Sequence, residues 1–330
     1  MYTTARLASM GKAIERKLGY WAMPEGSHVT LLTASENATF LASSPGNGRR
    51  IILRVHRPNY HTRSEIQSEL AWISALRQSG SVSTPSPLAG LDGEYLGEIE
   101  ADGSTFFVVA FQFVEGREPN VGESLPEWFQ RLGAVTASLH EHSRQWQSPD
   151  WFARKRWDLQ TMIGASGYWG DWRAAEGLSG SEERLILEAT SRIEDRLHSY
   201  GQGVDRYGLV HADLRLANLL VSGDSLEIID FDDCGFCWFA FDFAAAISFY
   251  ELDPMIPELK RAWIAGYRTV ADLDRKDEDE MGTFVMLRRI MLTAWLASHA
   301  DSDPAKELGE GYVKGTATLA GQYLRGTLCA

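Results

Sequence analysis

Beyond residue 124 nearly every apolar repeat in this chain has helical spacing, with one exception. Three short strand-like runs, residues 208–210, 219–221 and 226–230, stand together in the middle of that helical stretch. The first third reads the other way. Residues 29–33, 39–42 and 51–55 are short apolar runs, the last two joined across Gly46-Asn47-Gly48, a strong hairpin signal. At 62–79 the period lengthens: Ile66, Leu70, Ile73 and Leu76 fall at helical spacing and Gly80 follows as a stop. Pro85 and Pro87 mark an extended loop, and runs 96–100 and 105–114 flank an Asp102-Gly103 turn. A polar connector, 115–122, with Gly116, Pro119 and Gly122, closes this part. Ser124-Leu125-Pro126-Glu127 then predicts a helix opened by a capping box. Further helices are expected over 181–199, 257–270, 277–300 and 304–324. The pattern predicts an α+β chain with a β-rich part, 1–114, and a helical part, 115–330.

Composition narrows the classes. Apolar residues make up 44% of the 330, enough for a sizeable core, and the 11% aromatic share argues against disorder. The longest apolar stretch, 236–250, has 15 residues and includes Asp242, too short and too charged to span a bilayer. Three cysteines cannot build a disulfide framework, and no secretory signal opens the chain, so the expected location is the cytoplasm. Forty-five acidic residues against 32 Lys and Arg give a net charge of −13. That balance argues against nucleic acid as a partner and favours a cationic small molecule.

The strand island carries the chemistry. It reads Leu209-Val210-His211-Ala212-Asp213-Leu214-Arg215-Leu216-Ala217-Asn218, then a Ser-Gly-Asp turn at 222–224, then Ile229-Asp230-Phe231-Asp232-Asp233. An Asp closes one strand, an Asn follows five residues later, and a second Asp follows the next strand. Asn218 and Asp230 are hard oxygen ligands of the kind Mg²⁺ takes, while Asp213 is placed to orient and deprotonate a hydroxyl. The set suits phosphoryl transfer.

His-Ala-Asp-Leu-x-x-x-x-Asn followed by Ile-Asp-Phe-Asp-Asp resembles the aminoglycoside phosphotransferase and choline kinase family of the protein-kinase-like superfamily. It looks nearest the bacterial branch holding homoserine kinase-like enzymes and stress-response kinase A proteins. The resemblance, over roughly residues 28–300, implies a protein-kinase-like bilobal fold: a small β-rich nucleotide-binding lobe and a larger helical catalytic lobe, with ATP between them. It implies Asp213 as catalytic base, and Asn218 and Asp230 as Mg²⁺ ligands. Arg54 stands in the place of the strand lysine that contacts the α/β-phosphates, with Glu69 as its ion-pair partner and Glu65 one turn earlier as the alternative. The backbone of Gln112, Phe113 and Val114 corresponds to the hinge that reads adenine. Arg215, two residues past the base, is expected at the γ-phosphate.

Three departures accompany the resemblance. Ala212 replaces the usual Gly of the motif, and Ser35-Glu36-Asn37-Ala38-Thr39 takes the nucleotide-loop position without a glycine-rich pattern. Only 11 residues separate Asp230 from Asp242, too few for the activation segment of an ordinary protein kinase. The expected acceptor is the hydroxyl of a small amine-bearing molecule (an aminoglycoside, a choline-like compound or an amino-acid alcohol), seated near 151–172 and the acidic loop after Phe231. A serine/threonine protein kinase of the stress-response kinase A type would use the same core residues. A nucleotide-binding pseudokinase is the non-enzyme alternative.

The remaining motifs read as structural. Six of the 11 Trp lie between Trp128 and Trp172, where packing between helices is preferred over an aromatic box for an ammonium group. Cys234 and Cys237 form a lone C-x-x-C without further ligands. His140 and His142 alternate and cannot share one helical face. Asp242 is expected to cap backbone N–H groups near the catalytic loop. Asp232 and Asp233 are read as supports of the site or as solvated groups.

Overall fold

The computed structural model describes residues 2–119, 124–223 and 225–329; residues 120–122 of the expected connector and Asp224 of the expected turn lie outside the described residues. The chain opens with α1 (Thr4–Lys17), β1 (His28–Ala34), β2 (Ala38–Ser43), β3 (Arg50–Val55) and α2 (Arg63–Ser79). Next come β4 (Pro87–Leu88), β5 (Leu96–Ala101), β6 (Ser104–Gln112), α3 (Leu125–Gln145), α4 (Leu159–Met162) and α5 (Gly180–Tyr200). The central strands are β7 (Tyr207–Val210), β8 (Leu219–Ser222), β9 (Ser225–Ile228) and β10 (Gly235–Trp238). Four helices close it: α6 (Phe241–Ala246), α7 (Ile256–Tyr267), α8 (Arg275–Ser298) and α9 (Asp303–Arg325). These elements fall into two units. The first holds the chain up to Arg117 together with Gln147–Arg154 and Leu220–Asp232; the second holds Glu118–Trp146, Lys155–Leu219 and the chain from Asp233 on.

The first unit is built on an antiparallel sheet of order β1-β2-β3-β6-β4, with β5 also paired to β6. Hairpins join β1 to β2, β2 to β3 and β5 to β6; in the last, Asp102 and Gly103 take φ of 50° and 69°, the double left-handed geometry of a tight hairpin turn. Helix α1 lays Met10, Ile14 and the following Trp21 into one core with Phe40, Leu53 and Val108. Helix α2 buries Ile66 and Leu70 in a second, with Leu96 and Val109. A capping box between Thr62 and Glu65 starts α2, and Gly80 ends it at φ 68°. The β8–β9 hairpin belongs here too: the Ile228 N–H donates to the Ser83 carbonyl, and Arg117 bridges to Val221.

The second unit is helical apart from the antiparallel pair β7–β10. Helices α3 and α7 approach closely because each presents a glycine: a Cβ on Gly133 would lie 2.0 Å from the Trp263 carbonyl oxygen, and one on Gly266 1.8 Å from that of Gln130. Helix α8 starts at a capping box of Asp274 and Asp277 and buries most of its length, including two arginines, Arg288 and Arg289.

Several expectations change in detail. The capping box at α3 does not form: Ser124 is the N-cap residue, but its side chain makes no cap hydrogen bond. Strand β6 ends at Gln112 and β9 at Ile228, each two residues short of the expected limit. Helices α1, α4 and α6 and strands β4 and β10 are additional to the expected elements. Gly309 takes φ 55° within α9 and kinks it.

Candidate active site

The loop between β7 and β8 presents Asp213, and Asp242 at the start of α6 holds that loop from beneath. Its Oδ1 accepts the Ala212 N–H at 2.8 Å and its Oδ2 the His211 N–H at 3.3 Å. Two donors on one buried carboxylate satisfy backbone groups that would otherwise be orphaned. This is the capping role expected of Asp242. Ala212 takes φ 67°, the left-handed region where a glycine would be unstrained. His140, fully buried, lies 3.1 Å from Asp242 through Nε2 and 3.0 Å from the Tyr267 hydroxyl through Nδ1. Because a carboxylate only accepts, Nε2 carries the hydrogen and Nδ1 accepts from tyrosine. Burial pushes the His140 pKa down even though Asp242 opposes the shift.

Among the described residues, three side chains reach the Asp213 carboxylate. Arg288 of α8 donates from Nη2 to Oδ1 at 2.8 Å, and Arg215 Nε lies 3.2 Å from the same oxygen. Asn218 donates from Nδ2 to the Asp213 carbonyl at 2.7 Å and to Oδ2 at 3.1 Å. With its amide nitrogen used in this way, Asn218 keeps Oδ1 as an oxygen donor for a cation, which fits a hard divalent metal. The geometry therefore brings Asp213, Arg215 and Asn218 together in the second unit.

Arg54, Glu69 and Asp230 meet in the first unit. Arg54 on β3 sits opposite Val109 of β6, on the sheet face that α2 covers. Its Nη2 lies 2.7 Å from both carboxylate oxygens of Glu69, a residue with no solvent exposure. Asp230 Oδ1 stands 3.6 Å from Arg54 Nη1, and Asp232 Oδ1 3.9 Å from Nη2. Burial works against the Arg54 charge, but Glu69, Asp232 and Asp230 outweigh it and raise its pKa. Glu65 is spent on the α2 cap, so Glu69 is the partner. Asp230 takes φ 65°, a region Asp tolerates better than most residues, and its side chain is half exposed. Phe231 anchors it by an edge-on contact with Trp72 of α2, ring centroids 5.5 Å apart. An exposed carboxylate oxygen beside a guanidinium suits a metal–phosphate ligand set.

Asp232 is buried rather than solvated. It lies 3.5 Å from His56 and 3.4 Å from His61, and its carbonyl accepts from Arg154. Burial opposes its charge, but the two histidines and Arg54 hold its pKa well below the usual carboxylate range. His56 is pushed down by burial and by Arg54. None of these histidines was singled out from the sequence, nor was Arg288; no local motif marks them.

Gln112 ends β6, leaving Phe113 and Val114 beyond the strand ladder, with Phe113 under the Arg50 guanidinium at 3.9 Å. At the β1–β2 turn, Asn37 accepts the Arg57 N–H at 3.0 Å. The tryptophans pack: Trp157, Trp169 and Trp172 are buried, and Trp157 contacts Trp169 with centroids 5.9 Å apart. Trp151 is 54% exposed and belongs to the first unit. Cys234, Cys237 and Cys329 are buried and form no disulfide. No helix among the described residues is long and apolar enough to cross a membrane.

A small antiparallel sheet with one buried Arg–Glu pair, and a helical unit presenting Asp and Asn from one loop, define a kinase-like phosphotransferase. Residues 28–273 match the Phosphotransferase enzyme family, APH, and the chain belongs to it. The structure superposes on that of a microcompartment-associated aminopropanol kinase with a TM-score of 0.88, at 41% identity over 96% of this chain and 98% of the other. An amicoumacin kinase, hAmiN, in complex with AMP-PNP, Ca²⁺ and Ami superposes with a TM-score of 0.76, at 23% identity over 97% and 94%. Amicoumacin kinase of Bacillus subtilis (strain 168) is 22% identical over 276 residues, 79% of each chain. The protein is thus a kinase of the hydroxyl-acceptor class, with the kinase-like fold expected of it.

Proposed function

We propose that the protein transfers the γ-phosphate of ATP to the hydroxyl of a small amine-bearing alcohol, of the size of an aminopropanol. The aminopropanol kinase, 41% identical along almost its whole length, supports the acceptor class, and the net charge of −13 favours a cation. The observation that carries the reading is the 211–218 loop: Asp213 is presented while Asn218 Nδ2 clamps it.

In this reading residues 1–114 bind the nucleotide and 115–330 supply the catalytic loop and the acceptor site. The backbone of Gln112, Phe113 and Val114 reads the adenine edge, and Arg54, kept straight by Glu69, donates to the α/β-phosphates. Asn218 and Asp230 would hold a divalent cation, Mg²⁺, which when bound would neutralise phosphate charge. Asp213 accepts the acceptor's hydroxyl proton as its oxygen bonds to the γ-phosphorus. The bond from phosphorus to the β–γ bridging oxygen breaks and ADP leaves with that electron pair. Arg215 follows the γ-phosphate. Use of ATP and Mg²⁺, and three cysteines that form no disulfide, suit the cytoplasm.

The test is transfer of ³²P from labelled MgATP to a panel of amino alcohols, choline, aminoglycosides and cell extract. Label in a small amine is the expected outcome; label in protein alone would instead favour a protein kinase. Asp213→Asn should lower turnover by at least about 100-fold, the usual worth of a general base, with nucleotide affinity retained. Full activity in that variant would overturn the mechanism.

A further inference from the structure

Arg288 is 3% exposed on a helix whose other inward residues are almost all apolar, including Phe284, Val285, Leu287 and Leu292. A guanidinium in such a place is costly unless every contact is used. Its Nη2 donates to Asp213 Oδ1 at 2.8 Å and its Nε to Ser248 Oγ at 3.2 Å. The rings of Trp169 and Phe241 flank it at 5.6 and 5.7 Å. Its neighbour Arg289 faces a different task, paired at 2.5 Å with buried Glu251 and bonded to Thr316 and the Tyr312 carbonyl. The two adjacent arginines are therefore not interchangeable: one braces helices and the other reaches the catalytic loop.

Resting on the reading of Asp213 as base, we propose that Arg288 is a positioning residue: it fixes Oδ1 of Asp213 and so aims Oδ2 at the acceptor hydroxyl. The other two partners have competing duties in that reading. Arg215, with its side chain 31% exposed and on the loop itself, moves toward the γ-phosphate, and Asn218 toward the cation. Arg288, with its side chain 4% exposed and carried by a packed helix, pairs with no second carboxylate among the described residues. It is the partner that stays. A side chain mounted on a packed helix holds a reacting group more tightly than one on a loop. Misplacement of a reacting group by about 1 Å can cost about 100-fold in rate.

The experiment compares Arg288→Met, Arg288→Lys, Ser248→Ala, Asp213→Asn and the double variant Asp213→Asn/Arg288→Met in the full chain. Turnover is read as ADP release with 1-amino-2-propanol as acceptor, or as the slower transfer to water if that alcohol is not used. Arg288→Met should lower kcat about 10- to 100-fold with the KM for ATP within about twofold of wild type. Arg288→Lys should recover part of the loss, and Ser248→Ala, which removes only the anchor, should cost about threefold to tenfold. In the Asp213→Asn background Arg288→Met should cost nothing further, because both act through one carboxylate. If Arg288→Met folds poorly, Ser248→Ala and the lysine variant carry the comparison. An unchanged kcat in Arg288→Lys and Ser248→Ala together with a folded, fully active Arg288→Met overturns the positioning role, as does strict additivity in the double variant. Full activity in Asp213→Asn would instead overturn the base assignment, and with it the ground for this proposal.

Discussion

Ala212 holds the β7–β8 loop in a left-handed conformation. An L-residue at its φ of 67° costs about 1–2 kcal/mol relative to glycine. Glycine there would relieve that strain but lose a buried methyl worth about 0.8 kcal/mol and loosen the unfolded chain by about 0.4–1 kcal/mol. The three effects nearly offset, so Ala212→Gly should stay within about 1 kcal/mol of wild type in urea unfolding. Ala212→Val puts a branched side chain in the same conformation and should cost about 2 kcal/mol or more. Equal stability of the two variants would show that the loop relaxes. His140 sets a pH dependence. Its folded pKa lies below the unfolded value, so the unfolded state binds more protons between the two. Its contribution is complete above about pH 6.5 and is lost as pH falls through the folded value. Acid should therefore lower the Tm more steeply below about pH 6.5 in the wild type than in His140→Gln. Parallel profiles would contradict that. The motif residues were legible because their spacing is local: Asp213, Asn218 and Asp230 lie within 18 residues. Arg288 was not, since it stands 75 positions from the carboxylate it holds and looks like any helical arginine.

Among elements, the α3–α7 contact depends most on single atoms. Gly266 leaves room for the Gln130 carbonyl, and an added Cβ would fall 1.8 Å from it, against backbone that cannot swing aside. Gly266→Ala should cost about 3 kcal/mol, the upper range for overpacking, whereas Gly311→Ala, open around its Cβ, should be far milder. Denaturant midpoints of the two variants would decide it. Periodicity and turn residues made β1–β3, α2, α5 and the long C-terminal helices readable. The Asn-Gly turn and the Thr62 cap state their geometry in the sequence. Helix α1 is less legible although Met10, Ile14, Leu18 and Trp21 recur at helical spacing, because no capping box and no long apolar run mark it. The capping box at α3 failed for a different reason: the Ser124 N-cap takes ψ 98° and its hydroxyl is not turned to the first turn. Strand β9 stops at Ile228 because Asp230 must leave the extended region.

On the scale of the whole chain, the sheet-bearing unit is not one continuous stretch. Leu220–Asp232 returns to it long after Arg117, fastened by the Ile228–Ser83 backbone bond, the Arg117–Val221 bridge and the Trp72–Phe231 contact. Nothing in composition announces such a return, since pairing across a hundred residues leaves no local pattern. A fragment ending at Arg117 should accordingly unfold at lower urea than the same segment within the intact chain, read by the fluorescence of Trp21 and Trp72. Equal midpoints would mean that the returning hairpin adds nothing.

That returning segment also orders events at the ribosome. Translation proceeds from the N-terminus at about 5–20 residues per second, so the six-stranded sheet, whose last strand ends at Gln112, waits several seconds for the β8–β9 hairpin before residue 232 emerges. Throughout that interval Trp72 lacks the ring of Phe231, and the Ser83 carbonyl lacks its donor. The buried Arg54–Glu69 pair is in place early, but Asp230 arrives only with the last strands. A nascent chain therefore cannot bring Arg54, Glu69 and Asp230 together until more than two thirds of it has been made, so the groups proposed for phosphate and metal are assembled late in synthesis.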